Sequence, residues 1–223
     1  MPEKVMVSWS GGKDSALALY KMMQDEHYNV EGIFSTISAQ STRLPVHEVK
    51  QDLLKKQAEA MGLPLKIITL PPHASNERYE QEMDDLFHYF KARGINHIVY
   101  ADLFLEDIKA YRDQLVEKFG MKGLYPLWGM NSKNVAEHLI EQGFRAVITT
   151  VDTEKMDNKI PGVQYDPEFL SSLSSAIDPC GEYGEFHSFV YDGPMFKDPV
   201  KIVKGPRFHT FDGRFAHIEM EEK

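Results

Sequence analysis

The sequence predicts an α/β fold: a parallel sheet covered on both faces by helices, followed by a smaller α+β lobe. Three observations carry that expectation. Short apolar runs alternate with segments of helical apolar spacing through the first half of the chain. The first of those runs ends in Gly11-Gly12 and passes directly into a helix-forming stretch. Beyond residue 124 the alternation gives way to a polar, irregular stretch and three closing strands, so the division expected is 1–124 and 125–223.

Each element has its own warrant. Val5-Met6-Val7-Ser8-Trp9 reads as the first strand, and a helix then runs to about Glu26 with Leu17, Leu19, Tyr20 and Met23 turned to the sheet. Val30 to Ile37 is the second strand. Val46, Val49, Leu53, Leu54, Ala58 and Met61 recur at helical spacing, stopped by Gly62 and Pro64. Leu65 to Leu70 makes a third strand closed by Pro71-Pro72, and Tyr79, Met83, Leu86, Phe87 and Phe90 form the stripe of a third helix ending at Gly94. His97 to Ala101 is the fourth strand, followed by a helix carrying Ile108, Leu115 and Phe119. After the short run Leu124 to Trp128 come a helix at 132–141, a strand at 146–151, a short helix near 168–173, and antiparallel strands at 186–191, 200–203 and 215–219. Right-handed crossovers would bring the loops at 10–15, 35–42, 71–75 and 102–106 to the carboxyl ends of the parallel strands, where such sheets bind ligands.

Composition narrows the function classes. A net charge of −9 disfavours a broad nucleic-acid surface. The single cysteine, Cys180, excludes an intramolecular disulfide and a cysteine-rich zinc site, and favours the cytoplasm. No run of about 18 apolar residues suggests a membrane span.

Ser10-Gly11-Gly12-Lys13-Asp14-Ser15 is the first candidate site. A strand, a Gly-Gly turn and a helix start aim backbone N–H groups at one point. Two glycines admit a ligand closely, Lys13 adds a mobile charge, and Ser10 and Ser15 add hydroxyls. An ordinary turn capped by Asp14 or Ser15 is the plainer alternative. The spacing is not that of a Walker A loop, because Lys13 follows the glycines directly. The second candidate is Asp178-Pro179-Cys180-Gly181-Glu182-Tyr183-Gly184-Glu185-Phe186-His187-Ser188, a tight loop presenting Glu182, Glu185 and His187, or a glycine-rich hairpin start with solvated glutamates.

The first stretch resembles the PP-loop, SGG-x-DS, of the ATP pyrophosphatases. Together with Asp102 to Asp107, Tyr111-Arg112, Pro126-Leu127-Trp128, Gly181 to His187 and Val190 to Pro194, it makes the chain similar over nearly its whole length to the diphthine-ammonia ligase (diphthamide synthase) family. Tyr183 stands where that family commonly has Asn, and Ala101 where Gly is usual. The resemblance implies a Rossmann-like sheet of the adenine nucleotide α-hydrolase type and a smaller C-terminal domain that helps form the acceptor site. It implies ATP, ammonia and Mg²⁺, with an acceptor carboxylate that is diphthine on a translation elongation factor. The acceptor is adenylated with loss of pyrophosphate, and ammonia then displaces AMP. Ser10, Gly11, Gly12, Lys13, Asp14 and Ser15 would hold the phosphates and Phe34 and Ser35 the adenine. Asp14 would hold the metal, or merely cap its helix. Lys13, Asp102, Glu182, Glu185 and His187 would carry the chemistry. Gly181, Tyr183, Gly184, Arg112 and Trp128 would meet the acceptor, with a surface ion pair and a core anchor as the alternatives for the last two.

Three other readings stay open: a PP-loop tRNA thiolase or lysidine-type synthetase, disfavoured by one cysteine and an acidic balance; a ligase for another small carboxylate; and an ATP-binding sensor without turnover. The diphthine reading presupposes a host that makes diphthamide, and a homo-oligomer is compatible with the sequence.

Overall fold

The computed structural model describes residues 1–71 and 75–223. Five strands form a parallel sheet: β1 (Glu3–Ser8), β2 (Tyr28–Ser38), β3 (Leu65–Leu70), β4 (His97–Val99) and β5 (Lys122–Leu124). Their order is β3-β2-β1-β4-β5, which makes the sheet Rossmann-like. The chain reverses its direction of winding between β1 and β4, and ligands of such sheets sit at that switch point.

The helices are α1 (Lys13–Gln24), α2 (Gln51–Met61), α3 (Asn76–Lys91) and α4 (Glu106–Glu117). Met83, Leu86, Phe87 and Phe90 of α3 and Leu115 and Val116 of α4 pack with Met6, Phe34 and Ile98 on one face of the sheet. On the other face, α1 and α2 bury Leu17, Leu19, Leu53 and Leu54.

The second lobe contains α5 (Ser132–Glu141), β6 (Arg145–Asp152), α6 (Pro167–Ser172), β7 (Phe186–Asp192), β8 (Ile202–Thr210) and β9 (Phe215–Glu222). Its sheet is antiparallel, ordered β7-β6-β9-β8. Local chemistry sets the helix starts: Asn131 caps α5 by accepting from the N–H groups of Lys133 and Asn134, and Asp166 caps α6 ahead of Pro167. Among the described residues no helix is long and apolar enough to cross a membrane.

Several expectations need correction. The strand expected at 200–203 runs Ile202–Thr210, and α4 ends at Glu117, before Phe119. The second helix begins at Gln51, so Val46 and Val49 belong to the preceding loop. That loop is closed by a bridge between Arg43 and Lys50 and turns through left-handed residues that no helix can contain. On α1, Met22 is buried and Met23 is 46% exposed. Leu17 and Leu19 are both fully buried because α1 lies between the two lobes, with Tyr20 packed edge-on against Phe144. Ile108 faces outward at the crevice rather than the core.

Candidate active site

The loop after β1 is anchored from beneath. Gly11 takes a left-handed backbone (φ 74°), which allows its carbonyl to accept from Val190 N–H at 2.9 Å and from Gln57 Nε2 at 2.9 Å. Gln57 also donates to the Val190 carbonyl at 2.6 Å and accepts from Trp9 Nε1 at 2.9 Å. One fully buried amide therefore joins α2, the loop and β7.

The N-cap of α1 is Gly12, with no side-chain cap. The capping alternative for Asp14 and Ser15 thus fails: the Ser15 hydroxyl donates to the Gly12 carbonyl at 2.9 Å, and Asp14 meets Lys13. Gly12 N–H reaches Ser10 Oγ at 3.3 Å, and Lys13 N–H reaches Ser188 Oγ of β7 at 3.2 Å.

Lys13 is fixed rather than mobile. Its side chain is 3% exposed, its Nζ donates to Asp14 Oδ2 at 2.7 Å and to the Cys180 carbonyl, and it lies 5.2 Å from the Phe186 ring centroid. A buried ammonium needs such partners. Burial works against its charge, but the Asp14 carboxylate, helped by Glu182, outweighs it and the pKa is raised.

Opposite stands Glu182, whose Oε1 accepts from Leu103 N–H at 2.9 Å. Burial, opposed by that hydrogen bond and aided by like charge from Asp14 and Asp102, pushes its carboxyl up to about 7. Asp102 is raised as well, by burial against the pull of Arg112, whose Nη1 lies 3.2 Å from Asp102 Oδ2. The Arg112 guanidinium rests over the Tyr100 ring at 4.5 Å.

These groups line one crevice of about 920 Å³. It gathers Ser10, Gly12, Lys13, Asp14, Ser15, Phe34, Ser35, Asp102, Arg112, Gly181, Glu182, Gly184 and His187. Ser35 spends its hydroxyl on the Trp9 carbonyl at 2.6 Å. Gly11 lies behind the loop, against Gln57 and Leu54. Glu185 lies beneath the crevice, 2% exposed, with Oε1 accepting from Asp178 N–H. Tyr183 stands out from the rim, 61% exposed, 5.4 Å from Phe104. Trp128 packs outside the lining, edge-on to Tyr125 and near Lys109. Cys180 is buried; its thiol donates to the Ser132 carbonyl and is pushed far up by burial, an inert environment. Of the loop expected at 71–75, residues 72–74 lie outside the described residues.

Several lining residues receive no site role of their own from the sequence, although Ser188, Leu105 and Tyr111 lie inside the motifs quoted there. Tyr79, Met83, Tyr100, Leu105, Ile108 and Tyr111 form an apolar wall, and His47 and Ser188 stand beside the cradle. For Gln57 a signal existed, since a polar residue interrupts the apolar stripe Leu53, Leu54, Ala58, Met61. For His47 there was none.

A family model described as the diphthamide synthase N-terminal domain matches residues 3–123, and one described as the diphthamide synthase C-terminal domain matches residues 131–223. A diphthine–ammonia ligase of Schizosaccharomyces pombe is 24% identical over 98% of this chain and 39% of its own length. One of Bos taurus is 25% identical over 96% of this chain and 91% of its own. The chain thus spans about two fifths of the first relative and nine tenths of the second. A solved structure, a predicted subunit of tRNA methyltransferase from Methanocaldococcus jannaschii, overlaps 64% of this chain and 77% of its own at 18% identity and a TM-score of 0.41.

Proposed function

Because the chain belongs to the diphthamide synthase family, we propose that it is an ATP-dependent amide ligase. An acceptor carboxylate attacks the α-phosphorus of ATP, pyrophosphate leaves, and ammonia displaces AMP from the acyl-adenylate. Residues 1–124 hold the nucleotide in this reading and residues 125–223 supply the acceptor side. The acceptor is diphthine on a translation elongation factor, in keeping with the names of the relatives; another small carboxylate is the competing acceptor.

The observation that carries the reading is the meeting of the anion cradle after β1 with Glu182 of the second lobe in one crevice. The cradle and the fixed Lys13 ammonium stabilise charge developing on the departing pyrophosphate. Ser10 and Ser15 orient the cradle, and Phe34 and Ser35 border the adenine. Glu182, with Asp102 nearby, receives the proton that nitrogen sheds as its bond to the acyl carbon forms and the bond to AMP breaks. Glu185 holds the loop that presents Glu182. Gly181, Gly184, Tyr183 and Arg112 border the acceptor.

Mg²⁺ sites use one or two protein carboxylates and complete the shell with phosphate oxygens and water. Asp14 fits that pattern, since it lines the crevice and its Oδ1 is buried with no hydrogen-bond partner among the described residues. Among the described residues no group of three or more His, Cys, Asp or Glu forms a cage of protein ligands alone. When bound, the ion neutralises triphosphate charge.

The test is identification of the nucleotide product with ATP, Mg²⁺, ammonia and candidate acceptors. AMP and pyrophosphate formed only with an acceptor support ligation; ADP and phosphate overturn it, and tight ATP binding without turnover points to a sensor. Lys13→Ala is expected to depress adenylation, and Glu185→Ala to depress amide formation more than ATP binding.

A further inference from the structure

The segment between β2 and α2 contains three residues other than glycine in the left-handed region: Thr42 (φ 54°), Val46 (φ 67°) and Glu48 (φ 54°). That conformation is costly for any L-residue and most unusual for a β-branched one. It persists only where the surroundings over-determine it. Here the second lobe does so twice. The Thr150 hydroxyl of β6 lies 3.2 Å from both the Val46 and the His47 carbonyl. Arg43 grips Glu219 of β9 with Nη2 at 2.9 and 3.2 Å, and Lys50 Nζ lies 2.8 Å from the same carboxylate.

What this segment delivers to the crevice is His47. Its ring lies on that of His187, centroids 4.2 Å apart and planes 36° apart. Nδ1 is sealed from solvent and has no partner among the described residues, while the ring itself lines the crevice. A sealed N–H without an acceptor costs more than a bare lone pair, so the proton belongs on Nε2 at the open edge. Burial and the Lys13 ammonium lower the His47 pKa to about 4, against a smaller pull from the Ser188 backbone. The ring is therefore a neutral donor at pH 7. Ser188 places it: the same residue accepts from Lys13 N–H, and its carbonyl lies 3.0 Å from where a Gly12 Cβ would stand. His47 thus adjoins the phosphate cradle.

We propose that His47 is a phosphate-binding residue, donating Nε2–H to the β,γ end of the ATP triphosphate, and that the strained segment 42–48 is held in place to present it. This deepens the ligase reading and rests on it.

Calorimetric binding of ATP, pyrophosphate and AMP, each with Mg²⁺, to wild type, His47→Ala, His47→Asn and His47→Gln tests the assignment without any acceptor. The amide of Gln reaches the position of Nε2–H, whereas that of Asn reaches only as far as Nδ1. Ala and Asn should weaken ATP and pyrophosphate about 5- to 30-fold and leave AMP within about twofold, as expected for one hydrogen bond to a charged group. Gln should stay within about threefold of wild type. The AMP affinity of each variant reports whether its site is folded. An equal loss with AMP, an Asn variant with full ATP affinity, or a Gln variant no better than Ala would overturn the proposal. If wild type releases ADP from ATP, the ligase reading falls on that product, while the His47 pattern is judged on the binding ratios.

Discussion

Glu182 makes the stability of the molecule depend on pH in a defined direction. Its carboxyl is pushed from an ordinary 4.5 up to about 7, first by burial. Across that interval the folded protein keeps a proton that the unfolded chain has lost. The contribution is therefore most favourable below the unfolded value and declines as pH rises to about 7. Glu182→Gln should flatten the slope in urea titrations over that range and be more stable than wild type at alkaline pH; an unchanged slope would place the proton elsewhere. Catalysis should run the other way, amide formation rising through about pH 7 as the carboxylate forms. At Gly11 the constraint is steric. A Cβ there would sit 2.8 Å from Gln57 Oε1 and 2.9 Å from Leu54 Cδ2, on a left-handed backbone. Gly11→Ala is expected to cost about 1–2 kcal/mol from the backbone alone, with a further loss as Gln57 is displaced. A urea midpoint equal to wild type would contradict this.

Among the elements, the segment between β2 and α2 is where local preference and tertiary demand conflict. Val46 is β-branched, 44% exposed and left-handed, so its side chain offers little burial against its backbone cost. Val46→Gly should raise stability by about 0.5–1 kcal/mol in denaturant titrations, the relief of strain exceeding the entropy that glycine adds to the unfolded chain. A net loss would mean that the Val46 side chain contributes more than its exposure suggests. The conflict also explains why the apolar spacing from Val46 to Met61 predicts one helix although α2 begins at Gln51. Val49 is buried, as that spacing requires, but in the loop. Periodicity reports which residues face a core, and it does not report the backbone that brings them there. On α1 the spacing likewise gives one buried face, while the second lobe covers the other.

At the scale of the whole molecule the lobes share a core. Val5, Leu17 and Leu54 of the first belong to the same buried cluster as Val147, Phe189 and Ala216 of the second. Thermal unfolding should accordingly be a single cooperative transition by calorimetry, with calorimetric and van't Hoff enthalpies equal; two separated transitions would show that the lobes fold independently. Phe189, fully buried on β7, should cost about 3–5 kcal/mol when replaced by Ala. The sequence by itself determined the alternation of strands and helices, the glycine turn after β1 and the motif at 181–187, because each is written in neighbouring residues. Lys13 was visible as a charge, but its burial against Cys180 and Phe186 was not. Only the tertiary structure decided that Gln57 ties the loop to β7, that Ser188 meets Lys13 N–H, that burial pushes the Glu182 carboxyl up to about 7, and that Thr150 holds His47 in the crevice. Those contacts join residues tens to more than a hundred positions apart, and desolvation depends on everything packed around a group. Neither has a signature in local sequence.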